Sequence, residues 1–247
     1  MKFRNKTILI IGGNSDVGKS LATNFAELGA NLILTSRKTD QLKLFCKDIQ
    51  IRYSIKCESI LFNVLNYSTH QDFYNNIKTK PDIVITCIGY LDNQKNSEKN
   101  FDEAKNSINS NYIGLVSILN IIANDLEKKL SGTIVGISSV AGDRGRSSNY
   151  IYGSAKAAYT AYLSGLRSRM SNYNVKVLTV KPGFIKTKMT ENLELPMYLT
   201  ASSNQVALDI IKALRKSKNV IYTKWIWRYI MFIIKIIPEN IFKNIKI

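Results

Sequence analysis

The sequence predicts an α/β fold: one doubly wound parallel sheet of about seven strands with helices on both faces, then an amphipathic helical tail. Three observations predict it. Short β-branched apolar runs alternate with amphipathic stretches along most of the chain. A glycine-rich turn, Gly12-Gly13-Asn14-Ser15-Asp16-Val17-Gly18, joins the first run to the first stretch. The 247 residues carry no linker, internal repeat or low-complexity tract, which fits one large domain.

In order, strands are expected at 7–11, 32–35, 58–62, 82–87, 133–138, 176–180 and 220–222, where β-branched residues cluster. Helices are expected at 17–28, 40–49, 69–77, 101–126, 150–170 and 204–216, where apolar residues recur at helical spacing. Strict alternation implies parallel strands joined by right-handed crossovers. The catalytic domain is expected to span 1–222 and the tail 223–247.

Composition narrows the chemistry. With 35 Lys+Arg against 18 Asp+Glu, the formal charge is +17. That invites an anionic partner, or else reflects a Lys-, Ile- and Asn-rich composition. The single histidine, His70, argues against a His-rich metal site and against Ser-His-Asp chemistry; no metal is expected. Cys46, Cys57 and Cys87 form no C-x-x-C pair, so a reducing compartment is expected. The apolar run before Gly12 is too short for a secretory core, and no run is long enough to span a bilayer.

The run Ile8-Leu9-Ile10-Ile11 followed by Gly12 and Gly18 reads as strand, tight turn and helix start, a Rossmann-type phosphate cradle whose helix N-terminus faces a pyrophosphate. At the end of the second strand, Ser36-Arg37-Lys38 stands where an NAD-selective fold usually carries an acid. Arg37 suits a 2′-phosphate, so NADP(H) is favoured over NAD(H). The alternative is a solvated basic turn.

The most specific stretch is Ser139 followed by Tyr152-Gly153-Ser154-Ala155-Lys156. Tyr152 and Lys156 share a helix face. A phenol near pKa 10 is a poor acid–base group at neutral pH; a neighbouring ammonium is expected to lower it. Ser139 ends a strand, where its hydroxyl can meet a carbonyl. Tyr150 is off the shared face.

These residues resemble the short-chain dehydrogenase/reductase family over nearly the whole chain. Its glycine motif is matched at Gly12 and Gly18, with Asn14, Ser15 and Val17 in the same turn. Asp16 replaces the family's second glycine, a departure that is unfavourable beside a pyrophosphate unless its side chain caps the helix start. Asn63, beside Val64, stands where the family has an adenine-contacting acid. Of the family's Asn-Asn-Ala-Gly turn only Gly89 is kept. The resemblance implies Tyr152 as general acid, Ser139 on the substrate carbonyl, Lys156 on the nicotinamide ribose, Asn111 placing a relay water, and Pro182, Gly183, Ile185 and Thr187 on the nicotinamide side.

Arg144 and Arg146 follow the serine motif. They either grip a substrate phosphate or lie in a solvated loop. Residues 184–203 form an apolar substrate loop. The tail, 225–237, is about 20 Å long if helical, too short to cross a bilayer. Lys224, Arg228 and Lys235 would then fall within about 40° on an otherwise apolar circumference, which suits an anionic membrane surface. The alternatives are packing over the sheet or in a homo-oligomer.

Arg144, Arg146, the 149–156 segment and the Trp-rich tail are similar to one subgroup, the polyprenylphosphoryl 2-keto-ribose (pentofuranosid-2-ulose) reductases of cell-envelope carbohydrate synthesis. That implies a lipid-linked or apolar ketone substrate, a flavin-dependent oxidase partner, and a cytoplasmic, peripheral location on the inner face of the membrane. Two alternatives stand beside it: a soluble reductase of a 3-ketoacyl or other small ketone, and a non-catalytic dinucleotide-binding scaffold. No nucleic-acid partner is expected, because binding one gives no reason to keep Tyr152 near Lys156.

Overall fold

A computed structural model describes residues 2–191 and 193–245. The expected tail and substrate loop include Lys246, Ile247 and Asn192, which lie outside the described residues. In chain order the elements are β1 (Thr7–Ile11), α1 (Asp16–Glu27), β2 (Asn31–Ser36), α2 (Asp40–Tyr53), β3 (Cys57–Leu61), α3 (His70–Asn75), β4 (Ile83–Thr86), α4 (Gln94–Lys99), α5 (Phe101–Ile108), α6 (Gly114–Lys129), β5 (Gly132–Ile137), α7 (Tyr150–Met170), β6 (Val175–Pro182), β7 (Phe184–Lys186), β8 (Thr200–Ser202), α8 (Ser203–Arg215), β9 (Val220–Thr223), α9 (Ile226–Ile236) and α10 (Glu239–Phe242).

The main sheet has seven strands in the order β3-β2-β1-β4-β5-β6-β9, all parallel. Every residue of β1 is buried, because both faces of the sheet are covered and each takes alternate side chains. Ile8 and Ile10 join Leu21 and Phe25 on one face. Leu9 and Ile11 join Leu115, Ile118 and Leu119 on the other. The strand order reverses between β1 and β4, which opens a crevice beyond their carboxyl ends. Gly12 follows β1 and Cys87 follows β4 at that crevice.

The seven expected strands correspond to the seven of this sheet, with shifted ends. The single helix expected over 101–126 is instead α5, a π-helical turn over Asn109–Ile113, and α6. Such turns cluster at functional sites, and this one carries Asn111. Helix α4 was not anticipated; the Asn93 side chain caps it by accepting from Asn96 N. The expected substrate loop contains the small parallel pair β7–β8.

The tail packs onto the domain. Trp227 and Met231 are buried with Val140, and Phe184, Leu199 and Tyr222 pack against them. The expected cationic stripe is broken: α9 starts at Ile226, and Lys224 precedes it with a φ of 36°. Its ammonium donates to the carbonyls of Met197 (3.4 Å) and Tyr198 (2.8 Å). No helix among the described residues is long and apolar enough to cross a membrane.

Candidate active site

The glycine turn is built from the backbone outward. Gly12 has φ +92°, and a Cβ there would stand 2.8 Å from the Cys87 carbonyl oxygen. Only glycine tolerates both constraints. Ser15 caps α1, its Oγ accepting from Gly18 N at 3.0 Å and donating to the Gly12 carbonyl at 2.8 Å. At Gly18 a Cβ would meet the same carbonyl at 2.5 Å. Ser15, not Asp16, holds the cap position. Asp16 Oδ2 accepts instead from Lys188 N at 2.8 Å, fastening the substrate loop to the turn.

Two adjoining cavities, about 690 and 270 Å³, share Asn14, Ser15, Cys87, Ile88 and Gly89 along the crevice. The larger reaches Thr35, Ser36, Arg37, Lys38, Phe62 and Val64. The smaller reaches Ser139, Tyr152, Lys156, Pro182, Gly183, Ile185 and Thr187. A nicotinamide dinucleotide fits these residues. Asn14 Oδ1 and Thr35 Oγ1 are buried with no protein partner, an arrangement that favours a polar ligand over an apolar one. The α1 N-terminus supplies amides for a diphosphate, and the Arg37 and Lys38 side chains are exposed beside Ser36. Asn63 does not itself line the cleft: its Oδ1 accepts from Leu65 N, and its neighbours Phe62 and Val64 line it.

The reacting end is fixed by β5 and α7. Ser138 Oγ donates to the Lys156 carbonyl (3.0 Å) and bonds Thr160 Oγ1 (2.7 Å), which sets the register between strand and helix. Ser139 Oγ accepts from Ala141 N at 3.1 Å and lines the smaller cavity together with the Tyr152 phenol. The Lys156 ammonium stands 5.7 Å from the centroid of the Tyr152 ring. It makes only long bonds, to the carbonyls of Ile88 (3.4 Å) and Ile137 (3.3 Å).

Burial dominates the electrostatics of this pair. It pushes Tyr152 up to about 12, against a smaller downward pull from Ser139. Lys156, 2% exposed, is pushed down to about 8 by the same desolvation. Desolvation thus outweighs any lowering of the phenol by its neighbours, since removing water disfavours both charged forms. Tyr152 stays protonated at neutral pH, as a proton donor requires. Burial also raises the nearby Cys87 thiol, so it is no nucleophile.

Asn111 is fully buried. Its Nδ2 donates to the carbonyls of Tyr90 (2.6 Å) and Ser107 (2.9 Å), and its Oδ1 accepts from Tyr90 N (3.1 Å). Both N–H bonds are committed, so the side chain braces the turn after β4. Tyr150 is exposed at the start of α7.

Arg144 and Arg146 require a correction. Neither lines the two crevice cavities, and neither lies in a solvated loop. Arg144 Nη1 donates to the carbonyls of Ile234 (2.6 Å) and Ile237 (2.5 Å), Nη2 pairs with Glu239 (2.7 Å), and the guanidinium lies 3.8 Å from the Phe242 ring centroid. It ends α9 by satisfying carbonyls the helix leaves free. Arg146 reaches the Val140 carbonyl (3.4 Å) and the Met231 sulfur (3.8 Å), and burial lowers its pKa.

Sequence reasoning missed Cys87, Ile88 and Trp227. The first two follow β4 at the strand-order reversal, a position that was available as a signal. Trp227 packs behind the site, against Gly183: its Nε1 donates to the Leu199 carbonyl at 3.0 Å, and its ring meets Phe184 edge-on at 5.3 Å between centroids.

Known proteins share this arrangement. The chain is 28% identical over 240 residues to an uncharacterized oxidoreductase of Mycobacterium tuberculosis, covering 96% of each. It is 27% identical over 193 residues to an NADP-dependent 3-hydroxy acid dehydrogenase of Schizosaccharomyces pombe, covering 75% of this chain and 73% of that one. The fold superposes on a short chain dehydrogenase from Burkholderia cenocepacia in complex with NADP, with a TM-score of 0.83 at 17% identity over 99% of this chain and 98% of that one. The short chain dehydrogenase family matches residues 6–197. With the glycine turn, Ser139, Tyr152 and Lys156 gathered on one crevice, the chain belongs to the short-chain dehydrogenase/reductase family of NAD(P)-dependent oxidoreductases.

Proposed function

We propose that the protein is an NADPH-dependent carbonyl reductase that works at a membrane surface on an apolar or lipid-linked ketone, such as a polyprenyl-phosphate-linked keto-sugar. The observation that carries the reaction is the half-buried Tyr152 phenol lining one cavity with Ser139 and Lys156, its ring centroid 5.7 Å from the Lys156 ammonium. The turn from Gly12 to Gly18, Asn14, Thr35 and Arg37 would hold the dinucleotide at one end, and Pro182, Gly183, Ile185 and Thr187 at the other. When bound, the dinucleotide supplies the hydride. Ser139 holds the carbonyl oxygen by a hydrogen bond. Tyr152 gives its phenolic proton to the oxygen as negative charge builds there. Lys156, when protonated, stabilises the phenolate left behind.

The tail supports the membrane part of the reading. Trp225, Ile226, Tyr229, Phe232, Ile233 and Ile236 are all exposed, a larger apolar surface than a soluble monomer usually presents. The two arginines give no support to a substrate phosphate, so the lipid-linked substrate rests on this surface alone. A second reading, a soluble reductase of a small ketone such as a 3-ketoacyl group, is favoured by the seating of the tail on the domain, where Trp227 packs against Gly183 and Phe184 and donates to the Leu199 carbonyl.

Two measurements separate these readings. NADPH consumption with apolar ketones presented in vesicles is expected to exceed that with the same ketones in solution. Flotation with vesicles is expected for the native chain and lost in Phe232→Ser/Ile233→Ser/Ile236→Ser. Equal rates in both media, with no flotation, favour the soluble enzyme.

A further inference from the structure

Beside α8 and the start of the tail lies a second hollow of about 650 Å³, away from the crevice. Lys212, Lys216, Lys218 and Lys224 line it, and Asp209 is the only acid among its lining residues. Lys212 and Lys216 stand on the last turn of α8 or just beyond it, where they also suit the helix dipole. That does not account for Lys218, past the helix end, or for Lys224, which enters from the opposite wall. Lys212, Lys216 and Lys218 form no salt bridge among the described residues. The lip of the hollow is apolar. Tyr198 and Trp225 are each 74% exposed there, and the adjacent Met197 is 88% exposed.

We propose that this hollow binds the phosphate of an anionic membrane lipid, with Trp225, Tyr198 and Met197 seated in the headgroup–acyl boundary around it. The inference deepens the membrane reading above and rests on it. Charge complementarity selects the occupant: four lysines and a single acid line one concavity in a chain of net charge +17. The rim selects the lipid over a dissolved anion. Aromatic rings prefer the membrane interface, and lysine stems lie along apolar surface while their heads meet phosphate. Lys224 also holds the carbonyls of Met197 and Tyr198, so the substrate loop is tied to the same hollow.

The test is flotation of the full chain with phosphatidylcholine vesicles, with and without phosphatidylglycerol. The native protein is expected to bind the mixed vesicles more tightly. Lys212→Gln/Lys216→Gln/Lys218→Gln should lose most of that gain, about a hundredfold in affinity at roughly 1 kcal/mol per lysine, and keep its residual binding to phosphatidylcholine. A control of equal charge, Lys47→Gln/Lys105→Gln/Lys128→Gln, should lose far less. Equal losses in the two variants would show diffuse charge and overturn the site. Undiminished binding by the first variant would overturn it while sparing the membrane reading. Competition by inorganic phosphate at low concentration would assign the hollow to a free anion. A native chain that floats with neither vesicle would overturn the membrane reading itself.

Discussion

The indole of Trp227 lies so close to the backbone of Gly183 that a Cβ at that position would fall 2.0 Å from the ring. Gly183 lines the crevice beside Pro182, and Trp227 belongs to α9. The tail and the cofactor side of the site therefore share one contact.

Gly183→Ala is expected to displace the indole and weaken the seat of the tail by about 1–3 kcal/mol, the usual range for overpacking. Thermal unfolding should show a lower midpoint. Limited trypsin digestion should cut faster at Arg228. Digestion at the native rate would mean that the tail is held without this contact.

Tyr152→Phe should lower the rate of carbonyl reduction by about a hundredfold to ten-thousandfold, the range for removing a general acid. Fluorescence titration should show unchanged NADPH affinity. Full activity in this variant would remove Tyr152 from the mechanism.

Arg37→Glu should raise the KM for NADPH by about tenfold to a hundredfold, the loss expected for charge-assisted bonds to a 2′-phosphate. The KM for NADH should change far less. Parallel steady-state kinetics with the two dinucleotides measure the ratio.

Lys156 makes a prediction about stability. Its pKa in the folded protein, about 8, lies below the ordinary 10.5. Between those values the unfolded chain binds more protons, so Lys156 makes stability rise with pH across that window. At pH 7 the folded state carries a buried charge with little compensation. Lys156→Met should therefore stabilise the fold at pH 7 by about 1–3 kcal/mol, flatten the rise above pH 8 and abolish reduction. Denaturant unfolding at pH 7 and pH 9.5 checks both signs.

Much of this was legible in the sequence because it depends on local pattern. Ile8 to Ile11 announce a doubly covered strand, and Gly12 and Gly18 announce a turn that no side chain fits. Tyr152 and Lys156 share a helix face by spacing alone. The sign of the Tyr152 shift was not legible, because desolvation depends on what the whole fold stacks over the phenol. The roles of Arg144 and Arg146 were hidden for a similar reason. Their partners Ile234, Ile237, Glu239 and Met231 lie far along the chain, and a basic turn beside a catalytic serine looks the same whether it meets a substrate or a helix end. Asn111 was found by its position, but its bonds to Tyr90 depend on a π-helical turn that periodicity does not register.

Asp16 and Lys224 pin the same loop at its two ends, one at the Lys188 amide and the other at the carbonyls of Met197 and Tyr198. A change at either pin is therefore expected to shift the segment between them as a unit, because it is fastened to the phosphate-binding turn at one end and to the start of the tail at the other.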